Sequence, residues 1–154
     1  MWVIFEGLDK AGKTTLEWSF LKATDFKINV IDRGPIGYLV FDKLFGRTTK
    51  NGDQEFIRQA KKINKSKDFF VVYCIVDSDV AKVRLEEHKE KCPYDYDEAQ
   101  KLMKKKMSQF YSKERMLILD TTNKSIEQCT NEIIDWMEEV NKNEKCNLRI
   151  SKQH

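Results

Sequence analysis

Gly7-Leu8-Asp9-Lys10-Ala11-Gly12-Lys13-Thr14 matches the pattern G-x-x-x-x-G-K-[ST], and Thr15 extends it. Each part of the pattern has a use in holding phosphate. Gly7 and Gly12 let the backbone curl until successive N–H groups face one point. Lys13 brings a positive charge to the β- and γ-phosphates, and Thr14 offers a hydroxyl to Mg²⁺. A helix starting at Thr14 aims its positive end at the same anion. Such a pattern also arises in loops of helix-capping glycines. Here it stands between an apolar strand and a helix start, where a phosphate loop must be. The residues from Gly7 to Thr15 are therefore assigned to phosphate, with ATP and Mg²⁺ as the implied cofactors.

Other residues near this loop could complete a phosphoryl-transfer site. Asp32 ends the second apolar strand, where it would hold Mg²⁺ through water or accept a proton from a hydroxyl. Arg33 beside it would clamp an acceptor phosphate through its planar fork. Asp9 is either a carboxylate facing the acceptor or a turn aspartate. Glu6 is either a supporting carboxylate or a strand-end residue. Arg47, Arg84, Lys89 and Lys91 could neutralise the transferring group, Arg84 being the best placed. Tyr38, Phe41 and Phe45 could stack on an acceptor base or serve the core, since their spacing is helical. Lys101 and Lys104 to Lys106 read as a solvated helix face. A guanine-reading N-K-x-D is missing: none of the Asn-Lys pairs at 64–65, 123–124 and 141–142 continues to x-D.

Positioning these residues requires strands alternating with helices. WVIFEG (2–7), INVIDRG (28–34), DFFVVYCIVD (68–77) and RMLILD (115–120) are apolar runs without polar alternation, as in strands covered on both faces. Between them, helices are predicted from Thr14 to about Lys22, over 35–47 and 52–66, from a Ser78–Asp79 cap through VAKVRLEEHKEK, and over about 96–112. Ala99, Leu102, Met103, Met107, Phe110 and Tyr111 form the apolar face of the last of these. Ser125 with Gln128 is a capping-box signature before a helix that buries Ile126, Cys129, Ile133, Met137 and Val140. Residues 145–154 read as frayed. The alternation predicts an α/β sandwich with a parallel sheet and right-handed crossovers.

The 154 residues suit one domain, residues 1–154. Hydrophobic residues are 40% and charged residues 34%, which is enough apolar surface for one core. A net charge of +3 is too small to imply nucleic-acid binding. No window is apolar enough for a membrane span, and no secretory leader is present. Cys74, Cys92, Cys129 and Cys146 show no CxxC spacing. The only histidines are His88 and His154, so reduced thiols in a cytoplasmic protein are expected rather than a zinc site or disulfides.

FEGLDKAGKTT (5–15) resembles the N-terminal signature of thymidylate kinases, whose loop reads EGxDGxGKTT. Asp32-Arg33 is similar to that family's Asp-Arg pair, and Arg84 to the arginine leading into its lid. The strand 115–120 with Asp120-Thr121-Thr122 resembles its C-terminal unit beside the adenine. The resemblance implies a P-loop NTPase three-layer sandwich with a short parallel sheet of about four strands and a helical lid near 84–98. It also implies Lys13, Asp32, Arg33, Asp9 and Arg84 as catalytic residues and Thr14 with Asp32 at the metal. The activity implied is transfer from ATP to a deoxynucleoside monophosphate such as dTMP, with a homodimer as one arrangement. Lys22 to Asn29 passes almost directly into the Asp-Arg strand, leaving no room for the family's extra strand and Arg-Glu-Pro-Gly segment. Gly34 to Tyr38 and KEKCPYDYDE also depart from the family pattern. Such trimming resembles a shortened, phage- or virus-like deoxynucleotide kinase. Two other readings stay open: a kinase acting on a hydroxyl of a nucleoside, polynucleotide end or modified DNA base, and a non-catalytic nucleotide-binding protein.

Overall fold

The computed structural model describes the backbone of residues 1–151 and side chains through residue 143. Four strands, β1 (Trp2–Glu6), β2 (Asn29–Asp32), β3 (Phe69–Ile75) and β4 (Met116–Asp120), form one parallel sheet in the order β2-β1-β3-β4. The helices are α1 (Lys13–Ala23), α2 (Pro35–Leu44), α3 (Lys50–Lys65), α4 (Ser78–Glu87), α5 (Tyr96–Phe110) and α6 (Ile126–Ser151). Among the described residues no helix is long and apolar enough to cross a membrane.

Side-chain alternation along the strands explains the layers. Val3 pairs in register with Phe70, so Val3, Phe5, Phe70 and Val72 share one face of the sheet. On that face Phe5 meets Phe20 of α1 edge-on at 6.2 Å, and Phe70 meets Trp136 of α6 at 5.4 Å. Ile4, Glu6, Val71 and Tyr73 point the other way, towards the mutually packed α2, α3 and α5. Helices thus cover both faces, which is why the strands are continuously apolar. The chain steps from β1 to β2 on one side and then crosses to β3 on the other. That reversal at β1 opens a crevice at the strands' carboxyl ends.

Several boundaries differ from the sequence expectation. β2 stops at Asp32 because Arg33 has φ +66°, which no strand can continue. Asp77, not Ser78 or Asp79, caps α4: its Oδ1 accepts from the Asp79 N–H at 2.9 Å. α4 ends at Glu87, ahead of Lys89 with φ +54°, so the HKEK stretch is not helical. The Ser125–Gln128 capping box forms, with reciprocal bonds of 2.8 and 3.0 Å. Ile126 is exposed, however, and Val140 only half-buried. The expected fraying at 145–151 gives way to continuous α6, which contains neither Gly nor Pro; residues 152–154 lie outside the described residues.

Candidate active site

The loop from β1 to α1 is built on unusual backbone. Gly7 has φ +142°, and a Cβ there would strike the Cys74 carbonyl of the neighbouring strand, so only glycine fits. Lys10 and Gly12 are also left-handed, at +64° and +86°. Leu8 and Ala11 are buried and anchor the loop in the core. The consequence is a helix start that no side chain caps. Side chains occupy the first turns of five helices: Glu6 on α2, Thr49 on α3, Asp77 on α4, Asp95 on α5 and Ser125 on α6. α1 has no side-chain cap and no acidic residue in its first turn. Its N–H groups and dipole face a cavity of about 620 Å³.

Lys13 lines that cavity but is largely buried, and its Nζ donates to the Leu8 carbonyl at 2.8 Å. Burial holds its pKa below the usual lysine value. The hydroxyl-bearing Thr14 and Thr15 are exposed on the cavity wall, which Asp32 at the end of β2 also lines. Behind Asp32, the carboxyl of Glu17 on α1 is buried within its hydrogen-bonding reach. Burial first, then the Asp32 charge, raises the Glu17 pKa from 4.5 to about 7. The residues present suit a phosphate with a divalent cation: open N–H donors, an ammonium, a hydroxyl and a carboxylate around one space.

Arg33 also lines the cavity. Its Nη2 is 3.8 Å from Asp9 Oδ1, and its guanidinium stacks over the Phe41 ring at 4.1 Å. Asp9 Oδ2 in turn accepts from the Tyr94 hydroxyl at 2.9 Å, and the Asp9 carbonyl from Tyr96 at 3.0 Å. These tyrosines come from the irregular segment 88–95 and the first residue of α5, within the stretch expected to form the lid. Glu90, also there, pairs with Lys10 at 2.8 Å. Arg84 is committed to the loop: it donates to the Lys10 carbonyl at 2.8 Å and the Thr121 carbonyl at 3.3 Å. Thr121 is buried and donates to the Ala11 carbonyl at 3.1 Å, tying the loop to the end of β4.

Glu6 is the buried support behind Arg33. Its two oxygens accept from the Ile36 and Gly37 N–H groups at 3.2 and 2.9 Å, holding the start of α2 behind Arg33. A Cβ at Gly37 would strike this carboxylate and come within 2.8 Å of the Arg33 Cγ, which accounts for glycine there. Burial outweighs those bonds and raises the Glu6 pKa from 4.5 to about 7. Between those values the folded state keeps a proton that the unfolded state has lost. Stability therefore falls as pH rises through that window, and the cost is complete above about 7. At about 1.4 kcal/mol per tenfold, Glu6 accounts for about 3 kcal/mol. Glu6→Gln should flatten the decline of thermal stability between pH 5 and pH 8; a decline parallel to that of the wild type would contradict the assignment.

The cavity thus brings together Asp9, Lys10, Gly12, Lys13, Thr14, Thr15, Asp32, Arg33 and Arg84. It leaves out Arg47, which is exposed, 3.4 Å from Asp42 and stacked over Phe45. Lys89 and Lys91 are exposed away from it, as are Lys101, Lys104 and Lys105. Phe41 is buried, whereas Tyr38 and Phe45 are partly exposed and stack on Phe56 and Phe41. Tyr94, Tyr96 and Glu17 are the residues that motif reasoning missed. The first two stand in YDYDE, whose paired tyrosines were the available signal.

No protein-family profile matches the chain, and no curated protein matches it by sequence. Among solved structures it is similar to the YorR protein from Bacillus subtilis, crystallised in complex with phosphorylated GDP. The two share 21% identity with a TM-score of 0.70, covering 90% of this chain and 96% of YorR. The likeness supports a P-loop-like α/β fold.

Proposed function

We propose that the chain is an ATP-dependent nucleotide kinase that passes the γ-phosphoryl group of ATP to a deoxynucleoside monophosphate such as dTMP. One observation carries this reading: a single cavity joins the uncapped start of α1, with Lys13, to the Arg33–Asp9 pair. Donor phosphates fit the first group and an acceptor phosphate the second. Thr14 and Asp32 would hold Mg²⁺, which neutralises charge on the phosphate oxygens. An acceptor phosphate is already ionised, so its oxygen needs no base to attack as the β–γ bridging bond breaks. The likeness to a protein solved with a phosphorylated nucleotide supports a nucleotide in this cavity. The choice of dTMP rests on the resemblance at Glu6-Gly7-Leu8-Asp9.

A hydroxyl acceptor is the second reading. It is favoured by β2 standing at the edge of the sheet, with no strand beyond it among the described residues. The test is transfer of labelled phosphate from ATP to a panel of mononucleotides, nucleosides and 5′-hydroxyl oligonucleotides. Label on deoxynucleoside monophosphates alone is expected; label only on hydroxyls would overturn the first reading. Asp32→Asn separates the two further. With a phosphate acceptor, added Mg²⁺ should partly restore activity. With a hydroxyl acceptor the loss should be about 10²–10⁴-fold and independent of metal.

Tyr94→Phe should raise the KM for the acceptor about tenfold with little change in the KM for ATP, since it removes a hydrogen bond to the charged Asp9. An equal rise for both substrates would place Tyr94 on the donor side.

A further inference from the structure

Glu17 has no part in the phosphate-loop motif, yet it is one of the few charged side chains sealed into the described structure. It is 8% exposed, and its Oε1 has no hydrogen-bond partner. It lies three residues after Thr14 and four after Lys13, on adjoining rows of α1. Helical side chains lean towards the helix N-terminus, which carries this carboxyl back towards the loop. There it meets the carboxyl of Asp32 across the contact between α1 and β2. Lys13, whose charge acts on Glu17, leaves that Oε1 unpartnered while its Nζ donates to the Leu8 carbonyl. Two carboxyls placed together, one buried with an unpartnered oxygen, repel and cost desolvation energy unless a proton is shared between them or a cation joins them. A glutamine or leucine would pack in the same position without that cost.

We propose that Glu17 is a further residue of the divalent-cation site, acting with Asp32 to hold the water shell of the Mg²⁺ assigned to Thr14 and the nucleotide phosphates. The inference rests on the kinase reading of the cavity and adds a carboxylate to it. Magnesium retains several waters when bound and takes only one or two carboxylates directly, so a buried acceptor behind the first suits it. Residues that orient a metal's ligands or waters typically change metal affinity by about 10–100-fold.

The test is ADP binding by calorimetry, in EDTA and in excess Mg²⁺, together with Mn²⁺ binding to the ADP complex by electron paramagnetic resonance. For the wild type, metal should tighten ADP binding. Glu17→Gln should lose about tenfold of that tightening and bind Mn²⁺ correspondingly more weakly, with ADP affinity in EDTA unchanged. Glu17→Leu, which removes the buried charge altogether, should show the same loss with no fall in Tm in EDTA. Asp32→Asn combined with Glu17→Gln should lose little more than the larger single effect. Wild-type metal tightening in Glu17→Gln or Glu17→Leu would overturn the inference, as would an equal loss of ADP affinity in EDTA. Wild-type protein that binds ADP without any help from metal would overturn the inference alone. Protein that binds no ADP under either condition would overturn the kinase reading and the inference together.

Discussion

Lys13→Ala should cut phosphoryl transfer from ATP by at least about 10²–10³-fold, the usual effect of removing one pre-positioned cation or donor from developing charge. The ammonium stands at the start of α1, in the wall of the cavity, bonded to the Leu8 carbonyl. That carbonyl bond is what phosphate would replace, so the side chain is held in place before the ligand arrives. Its structural share is small. Losing one hydrogen bond costs about 1 kcal/mol, and in a chain of this length that moves Tm by about 2–4 °C. Turnover and a thermal melt on the same sample check both halves. Near-wild-type turnover would sink the kinase reading, and a collapse of Tm would make Lys13 a core residue instead.

Arg33→Ala should lower kcat/KM for the acceptor by about 30–1000-fold, or about 2–4 kcal/mol, while ATP affinity changes little. The side chain is braced on both sides, by Phe41 beneath its plane and Asp9 at its tip. Its backbone is held at φ +66° by a 3.0 Å bond from its N–H to the Phe5 carbonyl. A residue kept in that conformation has its direction set by the fold. Arg33→Lys should recover little, because an ammonium neither stacks on Phe41 nor offers a planar fork. Equal losses for ATP and acceptor would move Arg33 to the donor side.

Most of the framework was legible in the sequence, since it depends on residues close together in the chain. The continuous apolar runs announced covered strands, and all four formed. Gly7 to Thr14 announced a loop opening a helix. The Ser125–Gln128 box capped α6 as its spacing required. Errors clustered where one residue decides an end. Arg33 and Lys89 stop their elements through left-handed backbone, and neither residue type signals that conformation. Asp77, reading as the last residue of a strand, turned out to cap the next helix.

By itself, then, the amino-acid order determined the alternation of strands and helices, the phosphate loop and the candidates Lys13, Thr14, Asp32 and Arg33. Each depends on a pattern within about ten residues, the range over which periodicity, caps and turns act. The tertiary structure alone decided what stands around them. Tyr94 reaches Asp9 across 85 residues, Arg84 reaches the Lys10 carbonyl across 74, and Glu6 holds the start of α2 from 31 residues away. Glu17 and Asp32 meet because α1 packs on β2. Those pairings follow from the strand order β2-β1-β3-β4, which gathers the carboxyl ends of separate strands at one crevice. No local pattern encodes that order, because it is settled by how two apolar sheet faces are buried at once.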